Sequence, residues 1–204
     1  MRRKKLSRTQ WLYLGVLGLA FLVMLFFALQ EAEFNPSTFI RTYGLLGLFV
    51  ISIAANATIL FPLGVEVIVV AVGANPSLVG LASQSLLDRV IVGFVSGTGA
   101  AIGEMTAYLA GAMGRKAVEA VKEIDIRKVD AVAKKIEQRG MPFIFLIAII
   151  PFPFDVIGMA AGLIKFNPVK FFAAAWGGKT IRYVLYSLFG FAAFEAAKGL
   201  LGFH

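Results

Sequence analysis

Residues 151–162 read PFPFDVIGMAAG, and a single acid, Asp155, stands in this otherwise apolar run. Pro151, Pro153, Gly158 and Gly162 interrupt it. Proline removes a backbone donor and glycine admits dihedrals closed to other residues, so a helix is expected to break here. An earlier stretch, residues 61–73, FPLGVEVIVVAVG, repeats the arrangement. Pro62 precedes Glu66 by four residues, as Pro151 precedes Asp155, and Gly73 follows Glu66 by seven, as Gly162 follows Asp155. The shared form is P-x3-[DE]-x6-G, with Gly64 as a further break in the first copy. Two lone acids in matching register within broken apolar segments suggest the paired halves of a membrane transport site.

Composition decides which solvent the chain is built for. Of 204 residues, 59% are hydrophobic and 16% charged, with a mean hydropathy of +0.82. That is well above an ordinary soluble domain and implies a bilayer. The net charge of +8 comes largely from two basic clusters beside apolar runs. Such clusters read as orientation signals facing anionic lipid, and nucleic acid is not expected. There is no cysteine and one histidine, His204, so disulfides, thiolate catalysis and Cys- or His-rich metal sites are excluded. No cofactor or metal is expected. Ser96 and Ser187 lie in apolar runs with no base nearby, which argues against an enzyme.

The length suits one membrane domain. Residues 1–10 form a basic arm, and residues 11–29 are apolar enough to cross a hydrocarbon core of roughly 30 Å. The exit, QEAEFNP, lacks a small-residue cleavage site, so this is expected to be a retained first span with its N-terminus in the cytoplasm. Residues 43–73 stay apolar for longer than one helix needs and are interrupted by Asn56, Pro62 and Gly64. They read as a re-entrant hairpin or as a complete span followed by a buried half-helix; either needs protein or water around the freed backbone groups.

Residues 90–113 form the next expected span, with small residues at every fourth position: Gly99, Gly103, Ala107 and Gly111. Such a stripe is a helix-packing face. Glu104 lies beside it at membrane depth, where an acid is costly and functional by default. Residues 115–139 then alternate apolar and basic residues at helical spacing, the pattern of an amphipathic helix on the cytoplasmic surface. Basic flanks on both sides of residues 141–164 make this segment enter and return, as a second re-entrant hairpin opposed to the first. Residues 169–197 form a final span or spans, with a break expected at Gly177 and Gly178. Here Gly178-Lys179-x3-Tyr183 echoes Gly103-Glu104-x3-Tyr108. Lys179 therefore occupies the position equivalent to Glu104, and pairing would lower the cost of both charges. Arg182, three residues on, shares nearly the same helical face.

The run GTGAAIGEMTAYLAGAMGRK at 97–116, the basic amphipathic stretch, and RGMPFIFLIAIIPFPFDVIGMAAGLIKFNP at 139–168 together resemble the DedA or VTT-domain family, also called the SNARE-associated Golgi protein family. The resemblance covers roughly residues 60–186. It implies an integral membrane protein with two opposed re-entrant hairpins. Bacterial members are linked to translocation of undecaprenyl-phosphate or phospholipid and to stress tolerance that depends on the proton-motive force; eukaryotic relatives are phospholipid scramblases. By this resemblance Glu66 matches the acid after the first hairpin's proline, and Pro151 the proline of the second. Many bacterial members carry arginines three residues before and after that proline, where this chain has Ala148 and Phe154. The departure counts against a specific undecaprenyl-phosphate assignment.

The sequence thus predicts an all-α polytopic membrane protein in which two opposed re-entrant hairpins form an inverted repeat, with a cytoplasmic amphipathic helix. The expected function is lipid translocation or scrambling, with Glu66 and Asp155 contacting each other, the headgroup or protons, and with Glu104, Lys179 and Arg182 completing the site. The alternative is a proton- or sodium-coupled carrier of small ions or drugs. Expected partners are membrane lipids, with a homo-oligomer left open, and the expected location is a prokaryotic plasma membrane.

Overall fold

The computed structural model of the chain describes residues 35–57, 64–83, 85–121 and 124–201, with side chains described as far as residue 193. The basic arm, the span expected at 11–29 and Pro62 lie outside the described residues. Within them all regular structure is helical: α1 (Pro36–Ala57), α2 (Val65–Ala74), a 3-10 turn (Pro76–Val79), α3 (Leu86–Gly103), α4 (Met105–Ala112), α5 (Arg115–Glu119), α6 (Ile126–Ile149), α7 (Phe154–Leu163) and α8 (Pro168–Leu201). Two stretches, Pro36–Ala57 and Leu86–Ala112, are long and apolar enough to cross a membrane by length and composition.

Two parts of the chain are built alike. In α1 the backbone is redirected at Gly44, with φ 58° and ψ −135°, and in α6 at Gly140, with φ 60° and ψ −143°. An L side chain is strained at such dihedrals, whereas glycine adopts them freely. After each redirection a short apolar helical stretch runs on, over residues 45–57 and 141–149. Each is followed by a ten-residue apolar helix, α2 or α7. Glu66 and Asp155 occupy the same place, the second residue of α2 and of α7.

Close glycine contacts fix how these helices dock. A Cβ at Gly73 of α2 would come within 2.2 Å of the Ser187 carbonyl oxygen on α8, and one at Gly162 of α7 within 2.0 Å of the Tyr108 carbonyl oxygen on α4. Gly158 likewise abuts Ala107. Gly73, Gly158 and Gly162 were expected to break their segments. They lie instead inside helices, because their missing side chains are needed for backbone approach rather than for turning. The break in the second segment falls at residues 150–153, at Pro151 and Pro153. In the first, Gly64 holds a left-handed conformation (φ 59°, ψ 32°) immediately before α2.

The long helices meet through the same device. Gly99 and Gly103 lie against α1, where added Cβ atoms would reach 2.7 Å from the Phe49 oxygen and 2.5 Å from the Ile53 oxygen. Gly93 and Gly97 of α3 face Val184 and Thr180 of α8, and Gly111 faces Met159 of α7. The break expected at Gly177 and Gly178 does not occur: α8 runs unbroken for 34 residues. Both glycines face residues 145–148 of α6, so they admit a neighbouring helix.

Two apolar clusters hold the described helices together. One gathers Val118, Val129, Ile136, Ile157, Met159 and Phe171, and the other Ile40, Leu48, Val69, Val79, Val92 and Tyr183. The amphipathic helix expected over 115–139 is divided into α5 and the first half of α6. Asp125 starts the new helix, its carboxylate accepting a 2.9 Å bond from the Arg127 amide. Its apolar face is covered by the protein's own core, with Val118 and Val129 fully buried.

Candidate functional site

Lys179 and Glu104 form a buried ion pair between α8 and the junction of α3 and α4. Lys179 is 1% exposed and Glu104 4%, so neither charge is solvated by bulk water. A lysine ammonium carries three donors. One bonds Glu104 Oε1 and another Asn56 Oδ1 at 2.7 Å, while the Phe154 ring lies 5.3 Å from Nζ at cation-π range. Asn56 in turn donates through Nδ2 to the Ser52 carbonyl at 2.9 Å and to the Tyr183 hydroxyl at 3.3 Å. Asn56 of α1, Glu104 and Phe154 of α7 thus converge on one ammonium, that of Lys179 on α8. The other carboxylate oxygen, Glu104 Oε2, is buried without a hydrogen-bond partner among the described residues.

The first arm of each broken segment ends beside this pair. Residues 45–57 lead from Gly44, which touches Val79, to Asn56 at the ion pair and Ala57, whose carbonyl accepts a 2.9 Å bond from Thr106 Oγ1. From Gly64 the chain then returns through α2, and Asn75 leads into the 3-10 turn at Val79. Residues 141–149 lead from Gly140 to Ile150, whose carbonyl accepts a 2.9 Å bond from Arg182 Nη1. The orphan carbonyl at the end of α6 is thereby satisfied by a buried cation. The chain then passes Phe154 beside Lys179 and returns through α7 to Phe166, whose carbonyl accepts from the Tyr108 hydroxyl.

Glu104, Lys179 and Arg182 therefore lie in one connected region. Glu66 and Asp155 are half-buried; of the contacts expected for them, with each other, the headgroup or protons, no hydrogen bond or ion pair joins the two acids among the described residues. Asp155 interacts electrostatically with Glu104 and Lys179, and Glu66 with Tyr183. The cause is docking on different spans, α7 on α4 and α2 on α8, as the Gly162 and Gly73 contacts require. Nor do any three acidic or histidine side chains among the described residues converge on a metal-sized site.

Two members of this network were outside the expected site. Asn56 was read only as an interruption, although a polar amide in a run of Ile and Ala is itself a signal of a buried partner. Tyr183 was placed by the repeat but given no role, and it is fully buried against Asn56. Chemically, the arrangement holds one cation between an amide and a carboxylate, with two further acids within reach. It can stabilise a transferred proton, a small cation or the polar part of a lipid, because each carboxylate has acceptor capacity left over.

The sequence profile of the VTT domain matches residues 50–192, which takes in every residue of this network. The chain belongs to the VTT-domain family. This is the DedA or SNARE-associated Golgi protein family, a family of membrane proteins, and the apolar stretches Pro36–Ala57 and Leu86–Ala112 accord with that setting. No curated protein and no solved structure matches the chain. The VTT domain takes in the ion pair and the acid of each ten-residue helix.

Proposed function

We propose that this VTT-domain protein moves membrane lipid between leaflets through a midplane site where two re-entrant hairpins of an inverted repeat meet. The observation that supports this reading is that the first helical arm of each broken segment ends at the buried network, Asn56 bonding Lys179 and the Ile150 carbonyl bonding Arg182. The depth agrees. At 1.5 Å per residue, Lys179 lies about 16 Å along α8 from Pro168, and Glu104 about 12 Å from Ala112. Half of a roughly 30 Å hydrocarbon core is about 15 Å. Each hairpin arm, nine to thirteen residues long, is long enough for about half a bilayer.

In this mechanism the paired tips create a polar step midway across the core. Glu66 and Asp155 engage the headgroup or its protons while the acyl tails remain in the bilayer. Lys179 and Glu104 keep the step rigid and nearly neutral. The excess of lysine and arginine on α5, α6 and the α7–α8 turn favours placing that end in the cytoplasm of a prokaryotic plasma membrane.

Purified protein in liposomes carrying fluorescent phospholipid should show faster leaflet exchange than empty vesicles, and Glu66→Gln and Asp155→Asn should each slow it. Absence of acceleration by folded protein rejects lipid movement. A small-cation flux driven by a pH gradient, without lipid exchange, would establish the ion-coupled alternative in its place.

A further inference from the structure

The first half of α6 carries two faces. Val129, Ala133 and Ile136 are buried in the protein core, and on the opposite side of the helix Lys128, Lys134, Lys135 and Arg139 are all exposed. At 100° per residue these four, with Arg127, fall within one continuous arc. Lys165 and Lys170, on the turn between α7 and α8, are exposed at the same end of the molecule, because Ile164, Phe166 and Phe171 share the apolar cluster with Val129 and Ile136.

Asp125 and Asp130 are held by arginines, whereas Glu137 is exposed beside the strip with no ion pair among the described residues and is outnumbered by the cations around it. Asp130 receives both terminal nitrogens of Arg115, at 3.0 and 2.7 Å, and Asp125 pairs with Arg127 at 3.3 Å. The Arg115 guanidinium is held above its ordinary value, chiefly by its hydrogen bonds and charge contact with Asp130. Lys128, Lys134, Lys135, Arg139, Lys165 and Lys170 enter no ion pair among the described residues.

The position of this strip follows from its continuation. Directly after the redirection at Gly140 the chain exposes hydrocarbon side chains: Met141 is 38% exposed and Leu146 58%. In a membrane protein such side chains face acyl tails. Arg139 and Met141 are two residues apart, so their Cα atoms lie within about 7 Å, which sets the end of the basic strip beside the hydrocarbon-facing surface.

We propose that this strip is a docking surface for the anionic headgroups of the adjoining leaflet. It gathers several such lipids at the mouth of the segment that carries Asp155. Each lysine or arginine near an anionic surface contributes attraction that fades within a Debye length, so six clustered cations select charge rather than headgroup shape. The inference needs a membrane-embedded chain and does not need the chain to move lipid.

The chain has no cysteine, so Gln138→Cys provides a single labelling point in the middle of the strip. The full-length protein, carrying a fluorophore there, is placed in nanodiscs of phosphatidylcholine with equal fractions of a headgroup-quencher lipid that is either anionic or zwitterionic. Quenching by the anionic lipid should exceed that by the zwitterionic lipid by about 3-fold or more, falling toward parity as salt is raised. Neutralising Lys128, Lys134, Lys135 and Arg139 to glutamine should abolish the difference, whereas Arg41→Gln, exposed on α1, should leave it intact. Should the fourfold variant fail to fold, the salt series on the parent decides alone. Equal quenching by the two lipids in the parent, a difference insensitive to salt, or one that survives neutralisation overturns the proposal.

Discussion

Replacing either member of the buried ion pair should be far more damaging than replacing both. In Lys179→Met, the Glu104 carboxylate loses the one hydrogen-bond donor it has among the described residues, since Oε2 already has none, and Asn56 Oδ1 loses its 2.7 Å bond. A carboxylate 4% exposed is then stranded, which costs about 3–5 kcal/mol. Glu104→Leu strands an ammonium 1% exposed and costs a similar amount, about 3–5 kcal/mol. If the two changes acted independently the double variant would lose about 6–10 kcal/mol, enough to unfold most domains. With no charge left to desolvate, it should instead lie within about 2 kcal/mol of the parent. The assay is a double-mutant cycle on unfolding midpoints of the purified protein in one detergent, with leaflet exchange measured in parallel on every variant that folds. A double variant that loses the sum of the two singles refutes the coupling. A folded double variant that exchanges lipid at the parent rate would confine the pair to a structural role.

Three other perturbations test separate parts of the fold. Gly162→Ala would put a Cβ 2.0 Å from the Tyr108 oxygen and 2.6 Å from the Ala112 nitrogen, so α7 must lift from α4; a loss of about 1–3 kcal/mol in detergent unfolding is expected, and an unchanged midpoint would show the contact to be looser. Lys165 sits just past the end of α7 with φ 54°, in a left-handed cap closed by bonds from its own amide to Gly162 and from Phe166 to Ala161. Lys165→Gly should therefore raise stability by about 0.5–1 kcal/mol, and a lower melting temperature would contradict that strain. The Asp125 carboxyl is held below its ordinary value, first by the side-chain bond from Arg127 and then by the Arg127 amide. Its capping contribution is complete above the usual carboxylate range and is lost as pH falls through the depressed value. Amide protection factors over residues 126–129, corrected for the pH dependence of intrinsic exchange, should fall on acidification in the parent and remain flat in Asp125→Asn, which still caps; equal acid sensitivity in both would remove Asp125 as the cause.

What could be read from the sequence was mostly what depends on spacing. The P-x3-[DE]-x6-G register placed Glu66 and Asp155 at the same position of two matched helices, because a proline or glycine break sets where the next helix starts and the acid follows at fixed distance. The Gly-[EK]-x3-Tyr echo brought Glu104 opposite Lys179 for a similar reason. Glycine was harder to read. Gly177 and Gly178 looked like a break and proved to be a contact face, since the same missing side chain serves both purposes and only a neighbour distinguishes them. The start of α3 was also legible in principle: Ser85 and Asp88 form a reciprocal cap, the S-x-x-D pattern of a helix N-terminus, yet the expected span began at residue 90. Lys165 gave no signal at all, because lysine has no preference for its left-handed conformation.

The two halves differ where the proposed mechanism would need them to differ. Each first arm ends in a carbonyl held by the span that follows it: Ala57 by the neutral hydroxyl of Thr106, and Ile150 by the cation of Arg182. Hydrogen bonds to a charged group contribute about 1.5–3 kcal/mol and neutral ones about 0.5–1.5, so the second tip is anchored more firmly than the first. The arginine has no counterpart in the other half, where three residues past Glu104 the chain has Ala107, whose methyl instead meets Gly158. A symmetric pair of hairpins would present the same barrier to a headgroup from either side. Here the segment beside Asp155 is tied by Arg182 and packed near Lys179, while the end of α1 carries Asn56, which bonds both Lys179 and Tyr183. Displacing the end of α1 therefore breaks bonds to the ion pair, so under the proposed mechanism movement there is coupled to the charge at the centre of the site.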